Sequence, residues 1–199
     1  MSNVVDLRRL THSAAIPTLV LVDLQQEYDA VPRAFALTKI DDALANCRDI
    51  LAHARSLGIP VAFTRLVGQS PFFNPATRFS HWISGFEPNK SDMIFDRAQP
   101  SCYSSEEFAE IITSSGGNLV IAGFAGETAC LATAIDAFHR GHRLVYIADA
   151  SASHSLDDIS ASDVHNVITR LVGLYGDVVT TRSWIANTPH HSASKRVIS

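Results

Sequence analysis

The stretch NLVIAGFAGETACLATAIDAF, residues 118–138, limits what this chain can fold into more than any other. Leu119, Val120, Ile121 and Ala122 form a short apolar run that reads as a buried strand. Gly123, Ala125 and Gly126 then make a cramped small-residue turn. From Thr128 onward Ala and Leu, both strong helix formers, predict a helix that Gly141 closes. A strand passing through a tight turn into a helix sets backbone amides and one first-turn side chain at the carboxyl edge of a sheet. Open α/β proteins bind ligands there. The side chain to look for is a nucleophile, and what stands near the turn is Ala129 followed by Cys130.

The same alternation continues along the chain. Apolar strands are predicted at residues 17–22, 59–64, 92–96, 144–148 and 178–181. Helical spacing marks residues 40–57, with Gly58 as the C-cap, and residues 104–113 and 162–175. Six strands alternating with four long helices, each strand a solid apolar run, imply a mainly parallel six-stranded sheet covered on both faces. That is a three-layer α/β/α domain. Residues 65–91 are irregular and carry Pro71, Pro75 and Pro88 among Phe72, Phe73, Phe79, Trp82 and Phe86, which suits a lid or an interface better than a linker. One domain is expected at 17–188, after a flexible lead-in at 1–16. A tail at 189–199 is expected to be disordered or a partner-binding arm.

Composition narrows the function classes. With 199 residues, 46% of them apolar, a single sizeable core is feasible. A net charge of −4 gives no basic footprint for nucleic acid. No apolar run approaches the ~18 residues of a membrane helix, and MSNVVDLRRL lacks a signal-peptide core. Cys47, Cys102 and Cys130 are widely spaced and make no CxxC pair, so a reducing cytoplasm is expected rather than a disulfide framework or a zinc site.

Several residues invite chemistry. Asp23 ends the first strand, where partial burial raises a carboxyl pKa toward general acid/base use; capping the following turn is the competing reading. Arg97 follows the third strand and suits an anion or developing negative charge, although such arginines are more often surface ion-pair partners. Asp149 reads as turn and cap chemistry. Glu127 favours the helix dipole, and His139 and His142 flank a helix end where positive charge is welcome. No histidine set shows metal-ligand spacing.

VLVDLQQEY, RAQPSCY and GFAGETACLATAIDAF, taken in this order, resemble the isochorismatase-like, or cysteine hydrolase, superfamily over residues 17–179. The resemblance implies a triad of aspartate, lysine and cysteine that cleaves amides and related C–N bonds. Its aspartate falls on Asp23 and its glutamine on Gln25. Its lysine falls on Arg97, which keeps the charge but cannot shuttle a proton. Its cysteine falls on Ala129, with Cys130 turned by roughly 100° toward the core. Three readings follow: a hydrolase without a thiol, in which Asp23 is general acid/base and Arg97 a clamp, as in vinyl-ether hydrolysis; an amidohydrolase whose cysteine Ala129 has replaced; or a silent binding protein. The resemblance further implies a small planar substrate near Gln25, Tyr28, Arg65, Phe72, Phe73, Trp82, Tyr103, Phe124, Ala125 and Glu127. Arg65 is the candidate for a substrate carboxylate, and the amides of residues 124–129 for an oxyanion pocket. No metal and no cofactor are expected. A homodimer or homotetramer is, with residues 72–86 as a contact surface.

Overall fold

The computed structural model describes residues 16–188. The lead-in, apart from Ile16, and the tail at 189–199 lie outside the described residues. Six strands form one sheet: β1 (Thr18–Val22), β2 (Val61–Leu66), β3 (Met93–Arg97), β4 (Asn118–Gly123), β5 (Arg143–Ser151) and β6 (Asp177–Val179). Their order is β3-β2-β1-β4-β5-β6, and every pairing is parallel. Parallel strands need crossovers, and the helices supply them. They are α1 (Asp41–Leu57), α2 (Glu106–Ser114), α3 (Leu131–His139), α4 (Ala161–Val172) and α5 (Thr181–Asn187).

Side-chain alternation divides the core into two layers. Leu19 and Leu21 of β1 and Phe63 of β2 join Leu44, Ile50 and Leu51 of α1 and Trp184 of α5. On the other face Val20, Val22 and Ala62 join Phe108 and Ile112 of α2, Ala134 of α3 and Ile168 of α4. All five residues of β1 are buried, and each full burial of a Val or Leu there stabilises by roughly 1.5–3 kcal/mol. The expected three-layer α/β/α architecture is therefore present.

Local signals explain most boundaries. Gly58 ends α1 in the left-handed region, at φ 68°, donating to the carbonyls of Ala54 and Arg55. Ser105, Ser160 and Thr180 cap α2, α4 and α5 through their side chains. Two expectations need correction. β5 does not end at Ala148 but runs on to Ser151, and Asp149 Oδ1 accepts from the amide and hydroxyl of Thr181 at 2.7 and 2.9 Å. Asp149 thus caps a fifth helix, α5, rather than a local turn. The predicted last strand shortens accordingly: β6 stops at Val179, because Thr180 turns its hydroxyl to the Ser183 amide and starts α5.

The chain leaves β1 to fill one half of the sheet, then returns beside β1 as β4. This switch point falls at the carboxyl ends of β1 and β4, the place where such sheets take ligands. Val22 pairs with Gly123, whose φ is 116°; a Cβ there would lie 2.1 Å from the Val22 carbonyl oxygen. The Phe124 amide then donates to that same carbonyl at 2.8 Å, drawing the turn against β1. Gly58 also has positive φ but open space around it. Gly58→Ala is accordingly expected to cost about 1 kcal/mol in urea unfolding. Gly123→Ala adds overpacking to strain and is expected to cost roughly 2–6 kcal/mol, with a larger loss of soluble yield.

Candidate active site

Asp23 and Arg97 meet across the sheet. Asp23 follows β1 with a left-handed backbone, φ 49°, fixed by its amide on the Thr64 carbonyl at 3.0 Å and by the Gln25 amide on its own carbonyl at 2.7 Å. Arg97 ends β3, two strands away, and reaches over β2 to donate from Nη2 to Asp23 Oδ2. Its Nη1 donates to the Gln99 carbonyl. Both side chains are only 1% exposed. Asp23 Oδ1 and Arg97 Nε make no hydrogen bond of good geometry among the described residues, although the Leu66 backbone lies near enough to pull on the Asp23 carboxyl. Burial pushes the Asp23 carboxyl up to about 6, overcoming the pull of the Arg97 charge in the other direction. Burial also opposes the Arg97 charge, but Asp23, Cys102 and Tyr28 outweigh it, so the guanidinium stays protonated.

The second wall is the turn after β4. The Phe124–Ala125 peptide is cis, and residues Gly126–Cys130 wind as one π-type turn into α3. Such turns concentrate at functional sites. The expected amide pocket is narrower than residues 124–129. Phe124 N is taken by Val22, Gly126 N by the Ala152 carbonyl, and Thr128 N and Cys130 N by the Ala125 carbonyl. Among the described residues the Ala125 amide makes no backbone bond to the segments around the turn. Ala129 is 2% exposed and contributes a methyl group. Cys130 is buried, its thiol directed to the Gly123 carbonyl at 3.7 Å, and burial pushes its pKa well above the ordinary thiol value.

Aromatic rings pack over this edge of the sheet. Tyr28 lies 5.2 Å from Phe73, 5.9 Å from Phe124 and 6.0 Å from the His154 ring, between centroids. Phe35 packs edge-on to Phe72 and Phe73 at 5.1 and 5.2 Å. Arg33 braces this group: its guanidinium pairs with buried Glu27 and lies 3.9 Å over the Phe79 ring. Glu127 bonds His154 at 2.6 Å, and His154 also bonds the Phe35 carbonyl at 3.0 Å. Burial opposes the Glu127 charge, but the bond from His154 wins and holds the carboxyl below its usual value. The bond to Glu127 in turn raises His154.

The remaining candidates are engaged elsewhere. Gln25 is fully buried; its two amide hydrogens go to the carbonyls of Leu66 and Ser80, and its oxygen accepts from Leu66 N. It ties down residues 66–80 rather than meeting a ligand. Arg65 forms a bidentate pair with Asp96 at 2.8 and 2.7 Å, and alternation along β2 puts it on the face of Phe63, opposite to Arg97. Trp82 packs edge-on to Phe63 at 5.4 Å beneath Arg65. The Tyr103 hydroxyl bonds His142 Nδ1 at 2.7 Å, and its ring packs on Phe108. None of these three side chains joins the Asp23–Arg97 cluster. His154, Phe35 and Arg33 were missed by sequence reasoning, since no spacing links them to the motifs. A cavity of about 480 Å³ lies on the flank of β5, between Lys39, Asp42, Ser153, Ser160 and His165. It contains none of Asp23, Arg97 and Ala129.

Residues 17–183 match the isochorismatase domain family, and the chain belongs to that family. It is 21% identical over 194 residues to a maleamate amidohydrolase of Pseudomonas putida, covering 87% of each chain. It is 24% identical over 153 residues to an isochorismatase of Bacillus subtilis, covering 70% of this chain and only 49%, about half, of that protein. Among solved structures, an isochorismatase from Pseudomonas putida superposes with a TM-score of 0.80 at 26% identity, covering 85% of this chain and 90% of the other.

All three cysteines are buried, and burial raises each thiol. The folded protein is expected to resist iodoacetamide, with modification of all three appearing only in denaturant; mass spectrometry of the intact chain checks this.

Proposed function

We propose that this chain is a small-molecule hydrolase that works by proton transfer from Asp23 rather than by a thiol nucleophile. The observation that supports this most is the buried Asp23–Arg97 pair, with the carboxyl held near pH 6. A group with that pKa is partly protonated near neutrality, as a general acid requires. Protonating an enol-ether carbon leaves an oxocarbenium ion; water adds to it, and the resulting hemiketal collapses with loss of the alcohol. This chemistry needs an acid and a fixed charge, not sulfur. Arg97 stays charged beside Asp23 throughout and stabilises the carboxylate once its proton has left. The small Ala129 side chain leaves room in the turn for substrate, and the amide of Ala125 supplies a place for an oxyanion.

Asp23→Asn is expected to lower kcat/KM against isochorismate or a comparable vinyl ether by roughly 10²–10⁴-fold. The sign of the pH dependence follows from the acid form being the active one: kcat/KM is high below pH 6 and falls tenfold per pH unit above it. Turnover surviving in Asp23→Asn, or a profile rising through pH 6, contradicts the mechanism.

A second reading is favoured by the end-to-end match to the maleamate amidohydrolase. In that reading the chain retains an amidase pocket in which Ala129 stands where a nucleophilic cysteine would act. Ala129→Cys is then expected to gain hydrolysis of maleamate that iodoacetamide abolishes. An inert Ala129→Cys protein that still folds contradicts this second reading.

A further inference from the structure

Glu127 begins the turn into α3 and is 10% exposed at its side chain. The protonation of its partner follows from its two contacts. His154 Nε2 bonds a carbonyl oxygen, which only accepts, so Nε2 carries a hydrogen. Nδ1 lies 2.6 Å from a Glu127 carboxyl oxygen, a contact that lowers the Glu127 pKa and raises that of His154, so the shared proton sits on Nδ1. His154 is an imidazolium, and Glu127 is its carboxylate.

One oxygen of that carboxylate is left over. Glu127 Oε2 is buried and has no hydrogen-bond partner among the described residues. The neighbouring Ser153 hydroxyl is committed elsewhere. Its oxygen bonds His165 Nδ1 at 3.3 Å, and its pull on the Glu127 carboxyl is the smallest of those that lower it. A buried carboxylate oxygen without a donor is destabilising. Such an atom calls for a partner that arrives from outside.

The place of Glu127 says what that partner is. The Tyr28 hydroxyl feels the charges of Asp23, Arg97 and Glu127. Its ring stands between Phe124 and the His154 ring. The ion pair and Glu127 therefore both border one group of aromatic rings, the box of Tyr28, Phe35, Phe73 and Phe124. We propose that Glu127 Oε2 is the acceptor that reads the substrate: the box takes a small planar molecule presenting an N–H or O–H donor, an amide or hydroxyl, at the end remote from Asp23, and rejects a carboxylate there. This rests on the Asp23 edge of the sheet being the substrate site. A carboxylate has no hydrogen to offer Oε2 and would set oxygen lone pairs against it. Sites with a buried group awaiting a substrate hydrogen bond discriminate strongly against analogues that lack it. The same His154 that holds Glu127 ties down the Phe35 carbonyl, so the reader and the aromatic lid share one anchor.

The test measures binding of unreactive probes by calorimetry and so does not depend on turnover. Benzamide, methyl benzoate and benzoate share one planar ring and differ at the group offered to Glu127. The wild-type protein is expected to bind benzamide roughly ten- to a hundredfold more tightly than the other two, the range of a hydrogen bond to a charged group. In Glu127→Gln the three affinities are expected to fall within about threefold. An unchanged ranking in Glu127→Gln, a preference for benzoate, or no binding of any probe at millimolar concentration overturns the proposal. A crystal structure of the unliganded protein gives a second readout, free of any variant. An ordered water donating to Glu127 Oε2 supports the proposal, and a Ser153 hydroxyl donating to it overturns it. Failure of the acid mechanism would show instead as turnover in Asp23→Asn, with these affinities untouched.

Discussion

The ion pair between Asp23 and Arg97 is the contact on which the carboxyl edge of this molecule depends. It joins the end of β1 to the end of β3 across the full width of β2, and both partners are dry. A buried ion pair is a weak source of stability, because desolvating two charges costs about as much as their attraction returns. Apolar residues of similar volume would hold the strands together at least as well. The surrounding structure nonetheless encloses the pair, with the Asp23 amide held by the Thr64 carbonyl and the Thr64 hydroxyl beside the Cys102 thiol. Burial also separates the two titrations: the carboxyl moves toward neutrality, and the guanidinium stays charged. An acid that can change state beside a cation that does not is a chemical arrangement before it is a structural one.

Strand parity decides which side chains share this site. Arg65 and Arg97 both stand near the end of a strand on the same edge, and their sequence contexts give no reason to prefer one. In the parallel register Arg65 is opposite Asp96, and Leu66 is opposite Arg97. Arg65 therefore points into the layer of Phe63 and Trp82, and Arg97 into the layer of Phe95 and Cys102. A single residue of offset sends one arginine to a surface pair and the other to the buried carboxylate.

The sheet and its order of elements were legible because parallel strands buried on both faces read as solid apolar runs, as in LVLV of β1 and LVIA of β4. The end of the chain was harder. The β-branched run VVTT, residues 178–181, resembles a strand, yet its two threonines serve a helix start that depends on Asp149, about thirty positions earlier. At the site, Asp23, Arg97 and the inward turn of Cys130 could be read from motif and helical rotation. Gln25 and Tyr103 could not be placed, since whether a polar side chain faces a ligand or a backbone carbonyl depends on distant loops. His154 was invisible for the same reason: its partners, Glu127 and Phe35, lie far from it in sequence and meet it only once the sheet has formed.

Gln25 and Glu27 fasten the aromatic wall, the first through the backbone of Leu66 and Ser80, the second through Arg33 and the Phe73 amide. Both are only a few residues beyond Asp23 on a single short segment. The acid and the wall that frames it therefore hang from one support and shift together when that support shifts. Changes at residues 23–28 would disturb catalysis and pocket shape at once, which makes the segment a poor place to adjust selectivity. Residues 74–78, of which Pro75, Ala76 and Arg78 are exposed and none bonds Gln25 or Glu27, can vary in shape while the acid keeps its position.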